Sequence, residues 1–234
     1  MENTKSLVRL KLSKFNKSLT RLLFPSFCIA CQKETPEEPA SLRWLCLNCH
    51  KLLSSRWAKT SFLPEISEAY HLFDYQKDKL AQKLIHAFKY GLVKEISKVF
   101  DVVLEKERLA IKKLNFDAIV PIPLHHRKLK ERGFNQSLLI AQKISEMTGQ
   151  PILENVIERK IYRRPQMEVK NRETRLKNIR NIFFCAKPSL TQIAGKTILL
   201  VDDVATTGAT LKECARVLKS SGANKILSFT LAQD

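Results

Sequence analysis

The sequence predicts an α/β fold on a mainly parallel, Rossmann-like sheet, with a small cysteine-rich module ahead of it. Three observations carry this. From about residue 68 onward, apolar runs of strand length alternate with amphipathic stretches of helical length, the pattern of strands joined by crossover helices. Four of the six cysteines stand in two CxxC pairs near the start of the chain, a metal-site spacing. The 234 residues, 44% hydrophobic and 27% charged, leave room for one ordinary domain and a small module.

The elements follow in order. Residues 1–24 are basic and amphipathic: Val8, Leu12, Phe15, Leu19 and Leu22 repeat at helical spacing over 6–24, with Lys and Arg between them. Residues 25–55 form the cysteine-rich module, around the acidic, loop-like stretch Glu34-Thr35-Pro36-Glu37-Glu38-Pro39. Residues 56–67 link it to the second domain, 68–234. There, 69–75 reads as a strand. Residues 79–89 read as a helix with Leu80, Leu84, Ile85 and Phe88 on one face. Another helix lies within 100–113, an apolar strand at 116–123, and a helix at 136–147 that Gly149 ends. Residues 151–158 are short and strand-like, and 159–180 are long, polar and basic. A buried-type strand at 197–201, a helix at 211–221 that Gly222 can cap and a strand at 225–231 complete the pattern.

Charge narrows the function. Lys and Arg number 41 against 23 Asp and Glu, a formal +18, a field that attracts nucleic acid, anionic lipid or phosphorylated small molecules. Lys5, Arg9, Lys11, Lys14, Lys17 and Arg21 interrupt the start of the chain, so no signal-peptide core forms. No uncharged apolar run reaches the ~18 residues of a transmembrane helix. The expectation is a soluble, cytoplasmic protein with no transmembrane segment, whose thiols bind metal rather than pair as disulfides.

The chemistry concentrates in Ile198-Leu199-Leu200-Val201-Asp202-Asp203-Val204-Ala205-Thr206-Thr207-Gly208-Ala209-Thr210. An apolar strand ends in two adjacent carboxylates. A small hydroxyl-rich loop follows, and a helix begins at about Thr210. Ligands of open α/β sheets bind at the carboxyl ends of strands. Amide groups at a loop-to-helix junction face an anion, and Gly208 lets the backbone approach a phosphate closely. Asp202 and Asp203 can accept hydrogen bonds from a vicinal diol. A buried strand with a merely acidic turn is the bland alternative. An ATPase is the other, but Gly195-Lys196-Thr197 lacks the earlier glycine of a phosphate-binding loop, because Leu190 stands there.

Residues 198–210 resemble the phosphoribosyl pyrophosphate (PRPP) motif of type I phosphoribosyltransferases. That resemblance implies that Asp202 and Asp203 hold the ribose hydroxyls, and that Ala205, Thr206, Thr207, Gly208, Ala209 and Thr210 hold the 5′-phosphate. The stretch Phe116-Asp117-Ala118-Ile119-Val120-Pro121-Ile122-Pro123-Leu124 is followed by basic residues and Glu131-Arg132-Gly133-Phe134-Asn135-Gln136. With Phe88-Lys89-Tyr90-Gly91, the spaced Gln166, Arg175, Asn178 and Phe183, and the four-cysteine module, it resembles the ComF competence family (ComFC-like proteins) over nearly all the chain after about residue 22. The family fold implies that the loop 125–132, with Arg127, Lys128, Lys130 and Arg132, meets the pyrophosphate. Charge-assisted bonds to phosphate oxygens make that physically apt, although a solvated basic turn would look the same. Mg²⁺ would accompany PRPP, bridging its oxygens and needing few protein ligands.

Cys28-Ile29-Ala30-Cys31 and Cys46-Leu47-Asn48-Cys49, fourteen residues apart, suit a closed, structural zinc ribbon. Two pairs at this spacing argue against a redox CxxC. Residues 159–180 carry nine Lys and Arg against two Glu. They suit three readings: a mobile flap over PRPP, a solvated loop, or a nucleic-acid surface in which Arg163, Arg164 and Arg175 meet phosphates and Tyr162 stacks on a base. Two functions stay open: a competence factor handling incoming single-stranded DNA alongside other competence machinery, with PRPP as ligand or regulator, and a metabolic phosphoribosyltransferase displacing pyrophosphate with a base or amine. The resemblance favours the first.

Overall fold

The computed structural model describes residues 26–36, 38–60, 64–91, 93–161, 181–186 and 190–234. The amphipathic segment 1–24 and the basic stretch 162–180, with Tyr162, Arg163, Arg164 and Arg175, lie outside the described residues. The chain divides into two compact units, Met1–Leu52 and Leu53–Asp234.

The first unit is small. Phe27 and Glu34 form an antiparallel bridge around the first CxxC turn, and two short helices follow, α1 (Ala40–Arg43) and α2 (Leu47–Leu52). Thr35 ties the pieces: its hydroxyl donates to the carbonyls of Ser26 and Arg43. Among the described residues of this unit, the buried apolar side chains are Cys28, Leu45 and Cys49. So little apolar surface cannot offset the entropy of ordering the chain.

The second unit carries the sheet. Its elements are β1 (Ala58–Thr60), β2 (Glu68–Asp74), α3 (Lys79–Tyr90), α4 (Ser97–Lys106), α5 (Arg108–Lys112), β3 (Ala118–Pro121), α6 (His126–Arg132), α7 (Gln136–Thr148), β4 (Ile157–Arg159), β5 (Phe183–Cys185), α8 (Leu190–Ile193), β6 (Thr197–Ala205), α9 (Ala209–Ser220) and β7 (Lys225–Gln233). The five-stranded order is β1-β2-β7-β6-β3. All pairs are parallel except β1 with β2. The central strands β6 and β7 are apolar on both faces, as a covered parallel sheet requires. Ala118, Val120, Ile198, Leu200 and Ile226 share one core cluster with Leu211, Cys214 and Leu218 of α9 and Phe183 of β5. α7 packs on β3 and β6.

The structure departs from the sequence expectations in five places. The link 56–67 contains β1, an edge strand. The helix expected within 100–113 is two, broken at Glu107, whose carboxylate accepts the Ser55 hydroxyl at 3.0 Å. Residues 126–132 form a helix rather than a loop. The strand expected at 151–158 touches the sheet only at Ile152, bridged to Ile119, and then leaves it to pair as β4 with β5. The strand expected to stop at Val201 continues to Ala205, because β7 goes on pairing with it, Asp202 beside Thr230 and Ala205 beside Gln233. β3 ends against Val201, so β6 outruns it and opens a crevice where the carboxylates emerge.

Candidate functional site

Three elements converge on the end of β6. Asp203 is buried and Asp202 partly so. Lys89, in the last turn of α3, makes an ion pair with Asp203, Nζ to Oδ1 2.9 Å. Ser137, in the first turn of α7, donates its hydroxyl to Asp202 Oδ1 at 2.9 Å, and the Asp203 amide donates to the same oxygen at 2.9 Å. Burial, followed by the neighbouring Asp203 charge, pushes the Asp202 carboxyl up to about 7. Burial presses the Lys89 ammonium down, but Asp203 and then Asp202 outweigh it, and the net shift is upward.

Thr206 and Thr207 carry the chain from β6 into α9. Gly208 sits in the left-handed region, φ 68°, as the N-cap, a conformation that favours glycine. The Ala209 amide donates to Thr207 Oγ1 at 3.4 Å, and Thr206 is exposed. The first amides of α9 thus open beside the carboxylates, an arrangement that suits a phosphate attached to a diol-bearing sugar.

The basic segment is placed by its helix. Spacing of four puts Lys128 and Arg132 on one side of α6, both partly buried, while Arg127 and Lys130 are exposed. The sequence grouped all four, and only the first two turn inward. The Lys128 ammonium is lowered, first by burial and then by the charges of Arg132, Arg159 and Lys89, with Glu131 opposing. A polyanion would relieve that repulsion. Arg159, which the sequence assigned to the start of the basic stretch, ends β4 here.

The local sequence explains this arrangement. Gly133 caps α6 in the left-handed region, φ 77°. Asn135 caps α7 by accepting from the Ser137 amide at 3.1 Å, while its side-chain amide donates to the Ile122 carbonyl at 3.0 Å. Gln136 donates to the Phe88 carbonyl at 3.0 Å and accepts from Arg132 at 3.2 Å. Arg132 also lies over the Tyr90 ring, 5.2 Å from its centroid. Glu131-Arg132-Gly133-Phe134-Asn135-Gln136 and Phe88-Lys89-Tyr90-Gly91 are therefore two halves of one brace. Sequence reasoning missed Lys89 and Ser137 as partners of the carboxylates; the only signal for Lys89 was its place in the second motif. A separate groove of about 720 Å³ lies beside it, lined by Leu124, Leu129, Phe134, Leu138 and Leu139 among others.

In the first unit, the Sγ atoms of Cys28, Cys31, Cys46 and Cys49 lie within 4.8 Å of one another, and those of Cys31 and Cys46 are 3.7 Å apart. Four thiolates at about 2.3 Å from a tetrahedral zinc would stand about 3.8 Å apart, so the cluster fits such an ion. Burial would raise the Cys28 thiol, but amides of Cys46, Cys31 and Ala30 outweigh it and bring it down to about 7. Amides aimed at one sulfur favour the thiolate a metal requires. All six cysteines are free of disulfides. His50, in α2, is buried beside the cluster and outside the ligand set. Among the described residues, no helix is long and apolar enough to cross a membrane.

Residues 136–234 match the family described as phosphoribosyl transferase domain. The chain is 26% identical to Competence protein F of Haemophilus influenzae over 220 residues, covering 88% of this chain and 90% of that protein. It is 27% identical to Competence protein ComFC of Bacillus subtilis over 243 residues, covering 94% and 91%. It is 30% identical to DNA utilization protein YhgH of Escherichia coli over 154 residues, covering 64% and 66%.

Proposed function

We propose that this chain, similar to Competence protein F and ComFC and matching a phosphoribosyl transferase domain over residues 136–234, binds PRPP with Mg²⁺ and handles incoming single-stranded DNA in the cytoplasm during natural competence. The observation that carries the ligand is the adjacent pair Asp202 and Asp203 at the end of β6, followed at once by left-handed Gly208 and the start of α9. The two carboxylates take the ribose hydroxyls, residues 205–210 take the 5′-phosphate, and Lys128 and Arg132 face the pyrophosphate. Mg²⁺, when bound with PRPP, would neutralise phosphate charge and need few protein ligands. The four cysteines hold a structural zinc. The competence role is supported by the names of the relatives, and the DNA role by the net charge of +18 and the nine Lys and Arg of 159–180.

The same carboxylates and loop also favour a second reading, transfer of the phosphoribosyl group to a base or amine with release of pyrophosphate. Positioning and charge stabilisation would then do the catalysis.

One set of titrations separates the two. PRPP with Mg²⁺ should raise the melting temperature through mass action, and Asp202→Ala with Asp203→Ala should abolish that rise with the fold intact by circular dichroism. An unchanged rise would remove the ribose assignment. Fluorescence anisotropy should detect sequence-independent binding of single-stranded DNA, falling by about 0.7 log unit per phosphate contact for each log unit of salt. Arg163→Ala, Arg164→Ala and Arg175→Ala together should weaken it for every sequence and flatten that slope. Tyr162→Ala should cost a further ~1 kcal/mol. No DNA binding at moderate salt, with turnover of PRPP and an acceptor, would favour the transferase.

A further inference from the structure

We infer that Lys89 is a positioning residue for the ribose: through its ion pair it holds the Asp203 carboxyl aimed until the sugar hydroxyls arrive. This rests on the phosphoribosyl reading above and assigns a residue outside the strand, loop and helix of that motif.

The ammonium is no surface lysine that happens to reach an acid. Its side chain is 20% exposed and that of Asp203 9%, with the two 2.9 Å apart. The turn that carries it is fixed from several sides. Phe88 is fully buried, its ring 5.5 Å from that of Phe100 and 5.6 Å from that of Phe134. Its carbonyl accepts from Gln136. On the far side of Lys89, Tyr90 meets Arg132. The chain leaves the helix at Gly91, where a Cβ would come within 2.6 Å of the Ala87 carbonyl oxygen. An ammonium at the end of a helix also answers its dipole.

The chemistry gives the pair its purpose. Each ribose hydroxyl has one hydrogen to donate, so both carboxyls must be acceptors. Two adjacent carboxylates in a crevice of low polarity tend to share a proton, which would turn one acceptor into a donor. Ser137 and the Asp203 amide satisfy Asp202 without adding charge. Among the described residues that touch the pair, Lys89 brings the compensating positive charge.

The test uses the full chain and two probes, PRPP with Mg²⁺ and inorganic pyrophosphate with Mg²⁺, by calorimetry from pH 6 to 9. In Lys89→Met, PRPP affinity should fall about tenfold to a hundredfold, the scale of a lost charged hydrogen bond, and its acid fall-off should move to higher pH. Pyrophosphate, which has no ribose, should bind within about twofold of wild type on this reading. Lys89→Arg, which keeps the charge, should recover most of the loss. If Lys89→Met does not fold, Lys89→Gln carries the same expectations. Unchanged PRPP affinity, or equal loss of both probes, overturns the inference while leaving the phosphoribosyl reading in place. Wild-type protein that binds pyrophosphate but not PRPP overturns that reading and this inference with it.

Discussion

The four-cysteine unit and the sheet unit stand in opposite relations to their sites. In the first, Leu45 is the fully buried aliphatic side chain among the described residues, and two of the four candidate ligands make up the rest of the apolar interior. Whatever binds the sulfurs is therefore most of what holds that unit folded. In the second, Ile198, Leu199, Leu200 and Val201 are wholly buried immediately before Asp202. The core forms the strand, and the strand then carries two adjacent carboxylates into a crevice where the Asp202 charge is unfavourable. A small core makes its site a source of stability, whereas a large core can tolerate a site that costs stability.

The largest test of this contrast is Cys28→Ser. Losing one thiolate should strip the metal and unfold the small unit, since structural zinc contributes on the order of 10 kcal/mol. Limited proteolysis should then cut within Met1–Leu52, while the sheet unit keeps its melting transition. Elemental analysis should give about one zinc per wild-type chain and little in the variant. A variant that resists protease as well as wild type would break the comparison.

Asp202→Asn probes the opposite relation. The folded carboxyl, at about 7, lies above its ordinary 3.8, so its charge costs stability increasingly as pH rises through that window, fully above about 7, and costs nothing below 3.8. The substitution should therefore abolish the PRPP-induced shift yet stabilise the unliganded protein at pH 8 by roughly 1–2 kcal/mol, with no gain at pH 4. Denaturant titrations at both pH values decide. A loss of stability at pH 8 would mean that the carboxylate stabilises the fold.

The smallest effect lies at the other end of the sheet. Glu68, starting β2, pairs with Lys225 at 2.7 Å and Lys59 at 2.8 Å and accepts the Tyr70 hydroxyl. Bonds from Lys225, then Lys59 and Tyr70, bring its carboxyl down to about 2. Such a group stabilises above its ordinary 4.5 and loses that contribution as pH falls towards 2. Both lysines are about half exposed, so Glu68→Gln should cost only about 1 kcal/mol at pH 7 and almost nothing near pH 2. An equal cost at both pH values would assign the effect to packing.

Much of this protein was written locally in its sequence. The strand-carboxylate-loop-helix of 198–210 is contiguous, so its candidate ligand groups could be named from their order, and the cysteine spacing marked four sulfurs that the fold brings within 4.8 Å. Alternating apolar periods located most helices and strands, because burial on one face leaves a repeat in the chain. The errors fall where the local signal is short or polar. Residues 126–132 are almost all polar, so nothing distinguished a seven-residue helix from a basic turn, and only the helix separates Lys128 and Arg132 from Arg127 and Lys130. β5 spans three residues and exists through its pairing with β4. The extension of β6 to Ala205 depends on β7, which lies beyond α9 in the chain. Lys89 and Ser137 reach the carboxylates because α3 and α7 are packed there, and no spacing rule links residues on separate elements. Sequence alone determined the contiguous groups, since their geometry follows from the local backbone. Tertiary structure decided which distant charges compensate them, because ion pairs and pKa shifts depend on distance and burial, which only packing supplies.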